Sequence, residues 1–251
     1  MTGEDTSENV LDADDSGRDD DTGHDAHDDG ADTGGDTGND SDGDTGGDTG
    51  DPEPESFTLD WPDGTDPFAD SVVDFDPGPD AGFGSDDFPD VVLGPPRGRG
   101  AAAGSLHVLS LGELGSITLE MVDLEIIDGP GPDLLVFENP FPGWYETGVV
   151  EASLDGIDWY AWPCAAEDEA GDFPGCAGRA SVYATPDFLI DPTDPEAAGG
   201  DAFDLADIGL PAARFVRITD SGYNALGYGG ITGGFDLDAI AAANWAEVAA
   251  D

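Results

Sequence analysis

Two carboxylates alternate in Phe235-Asp236-Leu237-Asp238. An extended backbone would place them on one face, roughly 6 to 7 Å apart at Cα. At an effective dielectric of about 20 they would repel by roughly 2 kcal/mol, and a bound cation would reverse the sign. Asp128, Asp133, Glu138, Asp201, Asp204 and Asp207 occupy similar strand-end or loop settings. Carboxylates beside backbone carbonyls are the ligand set of a hard cation, so a structural Ca²⁺ is expected among these eight residues. The competing reading leaves them solvated at sheet ends, with Asp128-Gly129-Pro130 serving as turn chemistry.

A second chemistry is carried by aromatic residues in loops. Trp144-Tyr145 follows Gly143, and Tyr223-Asn224 and Tyr228 lie in the glycine-rich run Ser221–Gly234. Aromatic faces beside amide and hydroxyl groups suit a sugar platform, and the alternative is that these rings cap the core. Trp159 and Trp162 are expected to pack, and Arg214 and Arg217 to pair with carboxylates.

The 251 residues carry 58 acids and six basic side chains, all Arg, for a formal charge of -52. Lysine chemistry is excluded and nucleic acid is repelled. Residues 1–56 hold 21 of the acids and none of the 22 aromatics, a composition that cannot bury enough surface to offset its ordering entropy. A disordered acidic stalk is therefore expected over 1–56, followed by a single domain over 57–251. Asp-Thr-Gly recurs five times in the stalk, beginning at Asp21, Asp32, Asp36, Asp44 and Asp48. The tripeptide is also the aspartic-protease signature, but in a solvated polar tract it reads as spacer. Asp40, Asp42 and Asp44 lack the glycine and closing Glu of a calcium loop.

No run of 18 apolar residues exists, so no membrane span is expected, and Met1–Asp20 lacks the basic and apolar regions of an export signal. The stalk nonetheless suits a displayed domain whose export segment lies outside the sequence. Cys164 and Cys176, the only cysteines, bracket a loop of turn composition. A disulfide there would contribute roughly 3 kcal/mol by chain entropy and would imply an oxidising compartment. The alternative is a pair of reduced structural cysteines. With two of the three histidines in the stalk (His24, His27), only His107 remains to pair with them, which argues against zinc or Cys/His catalysis.

Periodicity over the remaining chain is that of strands. Ser116–Met121 alternates, with Ile117, Leu119 and Met121 on one face, and Asp133–Phe137 is a short apolar run. Further strands are expected over 71–76, 89–93, 105–111, 148–154, 157–162, 213–219 and 235–242. About nine short strands without an amphipathic helix predict an all-β antiparallel sandwich or jelly roll. Asp155-Gly156 predicts a two-residue type I′ hairpin turn.

Val150-Glu-Ala-Ser153-Leu-Asp155-Gly156-Ile-Asp-Trp159 resembles the V-x-x-S-x-D-G-x-x-W hairpin of discoidin-like domains, within the galactose-binding-like β-sandwiches. Ala213-Arg-Phe-Val-Arg-Ile218 resembles their later A-R-[YF]-[VI]-R-[IL] strand. Over most of residues 71–243 the chain is also similar to uncharacterised bacterial cell-surface proteins. That similarity is carried by Ala81–Gly84, Phe88–Pro96, Ile127–Asp133, Val136–Phe141, Gly199–Gly209 and Gly234–Ala239. It implies export and surface display and brings no catalytic residues. The expectation is a monomeric extracellular binding module for a glycan or another surface polymer, with no enzymatic activity. The alternatives are a glycoside hydrolase using two carboxylates and a purely structural surface protein.

Overall fold

The computed structural model describes residues 66–138, 140, 143–186, 189–224 and 233–248. The acidic tract 1–56 and Tyr228 lie outside them. Alternation and short apolar runs give an all-β chain of antiparallel sheets, and its helical segments are 3₁₀ turns of three or four residues. In chain order the strands are β1 (Ser71–Asp76), β2 (Leu109–Ser110), β3 (Ser116–Glu120), β4 (Leu124–Ile127), β5 (Leu134–Phe137), β6 (Glu146–Ser153) and β7 (Tyr160–Ala161). They continue with β8 (Asp201–Phe203), β9 (Ala212–Ala213), β10 (Phe215–Asn224), β11 (Asp236–Leu237), β12 (Ala239–Ala242) and β13 (Trp245–Glu247).

One sheet has the order β1-β3-β10-β6-β7. Against it lie the three-stranded sheets β12-β5-β8 and β13-β4-β9 and the pair β11-β2. Ile117, Leu119, Val150, Val216 and Ile218 from the large sheet share one core with Leu124, Ile126, Leu134, Val136, Leu237 and Ile240 from the smaller ones. This is the inward-facing alternation of a sandwich. The apolar run of β5 has a separate cause, because the strand is covered on both faces. Leu134 and Val136 face the main core, while Leu135 and Phe137 join Phe68, Val182, Ala184, Ala198, Ala239 and Ala241 in a second cluster.

The two segments that carry the discoidin-like resemblance are neighbouring antiparallel strands, with Val216 opposite Ala152 and Ile218 opposite Val150. Beside them Arg217 donates to Glu151 Oε2 at 2.7 Å, and its guanidinium lies 4.2 Å over the ring of Trp159. Arg214 pairs with Glu120 at 3.5 Å. Both arginines are thus bound to carboxylates of the domain. Trp162 is buried and donates its indole N–H to the carbonyl of Asp204 at 2.9 Å.

Three expectations are revised. Residues 89–93 form no strand, because Asp90–Val92 is a 3₁₀ turn led by Pro89, which has no N–H for a ladder. The apolar signal there reports burial of Val91 and Val92. The β6–β7 connection is longer than a two-residue turn, since β6 ends at Ser153 and β7 begins at Tyr160. Gly156 takes positive φ (71°) but Asp155 does not, and the Asp155 carboxylate instead accepts the N–H groups of Ile157 and Asp158 at 2.8 and 2.9 Å. The run 235–242 divides at Asp238, and its halves, β11 and β12, join different sheets.

Candidate functional site

The ends of β5, β6 and β11 converge on three acids. Glu138 follows β5, Glu146 opens β6 and Asp236 opens β11. One carboxylate oxygen from each lies within 4.8 Å of the others, and all three residues are buried. Two backbone features hold them there. The N–H of Asp236 donates to Glu138 Oε1 at 3.4 Å, and Gly148 on β6 passes so close to Phe235 that a Cβ would meet its ring at 2.7 Å. Asn224, the last residue of β10, donates its side-chain amide to Glu146 Oε1.

The site is electrostatically unfavourable for three bare carboxylates. Burial, then the charge of Asp236, raises Glu146 from 4.5 to about 8. Burial raises Asp236 from 3.8 to about 7, with Asp220 adding to the rise and the Ser110 hydroxyl opposing it. Glu138 is pushed well above the ordinary carboxylate range by burial and by Asp236 and Glu146. Glu138 Oε2 and Asp236 Oδ1 are buried and accept no hydrogen bond. Among the described residues, no ion pair reaches any of the three.

The other acids singled out from the sequence are distributed differently. Asp128, Asp133 and Asp204 also come within 4.8 Å of one another. There Asp133 is fully engaged, Oδ1 accepting Gly129 N–H and the Asn244 amide and Oδ2 accepting Leu205 N–H, while Asp204 Oδ1 accepts Ala206 N–H and Asp128 is exposed. Asp207 is exposed in the adjoining 3₁₀ turn. Asp201 accepts the N–H groups of Gly178 and Arg179 and pairs with the Arg179 guanidinium at 3.1 Å. Asp238 faces away from Asp236, accepting Arg97 N–H at 2.8 Å with His107 Nδ1 3.9 Å from its other oxygen. The alternation in 235–238 therefore does not pair these two carboxylates. Glu146 was not anticipated from sequence, since Asp236 and Asn224, two of its neighbours in space, are 90 and 78 residues away along the chain.

Next to the acids stands an aromatic group. The disulfide joins Cys164 to Cys176. It closes a loop that buries Phe173, whose ring lies 5.5 Å from Tyr145 and 5.3 Å from Tyr223. Trp144 is 43% exposed beside Tyr145. The structure thus brings together Trp144, Tyr145, Tyr223 and Asn224, which the sequence places in two separate loops. An open groove lined by Cys164–Asp168 and Ser221 runs alongside. Tyr145 and Tyr223 are half-buried, so each both caps Phe173 and presents an edge to solvent.

No protein-family model and no curated protein matches the chain. None of the described helices is long and apolar enough to cross a membrane.

Proposed function

We propose that the chain is a non-catalytic binding module of the galactose-binding-like, discoidin-like kind, displayed outside the cell on its acidic stalk, and that it recognises a glycan or another surface polymer. The observation that carries this reading is the convergence of Tyr145 and Tyr223 on Phe173, with the exposed Trp144 adjoining Tyr145, beside the open groove at Ser221. Rigid, half-exposed rings next to hydroxyl and amide groups offer contact area at low entropic cost. The disulfide supports an oxidising compartment. Binding is favoured over glycoside hydrolysis by the closeness and burial of the three acids. A hydrolase needs two carboxyl groups at about 5 Å or more that flank an accessible bond.

The test is retention of the full oxidised chain on a panel of insoluble polysaccharides, with reducing-sugar release measured in parallel. Retention without hydrolysis, weakened at least about tenfold by Trp144→Ala, is expected. Sugar release abolished by Glu146→Gln would make the protein a hydrolase. Self-association with no retention on any polymer would make it a structural surface protein.

A further inference from the structure

We infer that Glu138, Glu146 and Asp236 form a built site for one divalent cation, and that the ion is Ca²⁺. The inference stands independently of the glycan-binding reading. Acids clustered on a surface of this composition would mean little, and a second observation separates this group. Glu138 and Asp236 are 3% and 7% exposed, and Glu138 Oε2 and Asp236 Oδ1 are enclosed with no donor to satisfy them. Buried carboxylate oxygens are normally hydrogen-bonded, ion-paired or bound to a metal. Hydrogen-bond donors do not reach these two, and the ion pairs of the described residues go elsewhere. A shared proton or a metal can fill that role, and the charge around the trio favours the metal.

The surroundings point the same way. Asp220 on β10 and Asp201 on β8 add negative charge at the trio. Arg179, the cation facing Asp201, is engaged by Asp201 and Asp172. The acidic group Asp128, Asp133 and Asp204 is an internal contrast, since Asp133 and Asp204 there accept backbone N–H groups.

Ligand chemistry selects the ion. All three side chains are oxygen donors, both cysteines are locked in the disulfide, and no histidine joins the group, so soft and borderline metals are disfavoured. Three carboxylates supply up to six oxygens in an enclosed space. Ca²⁺ accepts such irregular, partly bidentate shells, whereas Mg²⁺ demands octahedral geometry and retains several waters. Bound here, the ion would tie the end of β5 to the starts of β6 and β11.

The experiment is thermal unfolding of the full oxidised chain in EDTA, in CaCl₂ and in MgCl₂ at matched ionic strength, the last controlling for screening along the acidic stalk. CaCl₂ at a hundredfold excess over its dissociation constant should raise Tm by roughly 5 to 10 °C more than MgCl₂. Glu146→Gln and Asp236→Asn should abolish that excess while leaving Tm in EDTA unchanged or higher, because each replaces a buried carboxyl group with a near-isosteric neutral amide. Asp128→Asn should retain it. Equal shifts with the two salts, or a calcium excess that survives in both Glu146→Gln and Asp236→Asn, would overturn the assignment. Terbium luminescence provides a readout that needs no trio variant to fold. Trp144, whose indole lies near enough to Glu146 to oppose the rise of its carboxyl pKa, would sensitise Tb³⁺ held there. Emission displaced by calcium and reduced in Trp144→Phe supports the site, and emission that calcium does not displace overturns it.

Discussion

The backbone N–H of Asp236 donates to Glu138 Oε1 at 3.4 Å, yet the buried oxygens Glu138 Oε2 and Asp236 Oδ1 accept nothing. Two residues 98 positions apart in the chain are thereby held with their carboxylates together. In the absence of a cation the fold can keep them there only by retaining protons.

A pH dependence of stability follows for the protein in EDTA. Glu146 and Asp236 rise from 4.5 and 3.8 to about 8 and 7 on folding. Between roughly pH 4 and 8 the folded state therefore binds more protons than the unfolded chain, and stability falls as pH increases. The contribution is complete below about pH 4 and is lost as pH rises through 7 to 8. Each retained proton gives a slope of about 1.4 kcal/mol per pH unit. Urea unfolding in EDTA from pH 4 to 9 measures it. Glu146→Gln should flatten the profile, and a profile that rises with pH would contradict the burial of these acids as carboxyl groups.

Much of this architecture was legible in the chain, because local pattern and final burial agree. Ile117 and Leu119 alternate in the sequence and are buried in the sheet. The run Leu134–Phe137 is apolar at every position because β5 is enclosed by two clusters. Pattern failed where burial came without a ladder, as at Val91 and Val92. It failed again at the site. Asp236 and Asp238 share a strand period but diverge, one to Glu138 and the other to His107, because the chain changes sheets between them. Glu146 carries no local signal, and only the pairing of β6 with β10 sets it beside Asn224.

Asp133 should prove a structural anchor. Its carboxylate is fully buried and accepts Gly129 N–H, Leu205 N–H and the Asn244 amide, joining the turn after β4, the 3₁₀ turn after β8 and the segment before β13. Asp133→Ala leaves three donors without that acceptor, at roughly 1 to 3 kcal/mol for each one that stays buried. A loss of about 3 kcal/mol or more in urea unfolding is expected, with the Tm difference between CaCl₂ and MgCl₂ retained. A loss under about 0.5 kcal/mol would mean that solvent replaces the carboxylate at all three donors.

The Arg217, Glu151 and Trp159 arrangement should be worth less. The pair at 2.7 Å is partly exposed, as is the guanidinium over the indole. Exposed pairs contribute about 0.2 to 1 kcal/mol, and a cation–π contact of this kind about 0.5 to 1 kcal/mol. Arg217→Lys keeps the charge but loses the planar fork and the stacking. It should cost about 1 kcal/mol, with the larger part disappearing when measured in a Trp159→Ala background. Equal costs in both backgrounds would assign the effect to Glu151 alone.

The disulfide should act on stability and on binding through one residue, Phe173. Reduction, or Cys164→Ala with Cys176→Ala, releases the loop that inserts this ring between Tyr145 and Tyr223. The chain-entropy contribution is roughly 3 kcal/mol, and a drop of that order in urea unfolding is expected. Phe173→Ala keeps the disulfide but removes the buried ring, at about 3 to 5 kcal/mol. Both variants remain usable where they stay folded, and polysaccharide retention then separates two roles for the loop. If Phe173 holds the tyrosines in place, both changes weaken retention alike. Loss of retention in the cysteine variant with retention preserved in Phe173→Ala would instead place the binding surface on the loop itself, along the groove from Cys164 to Asp168.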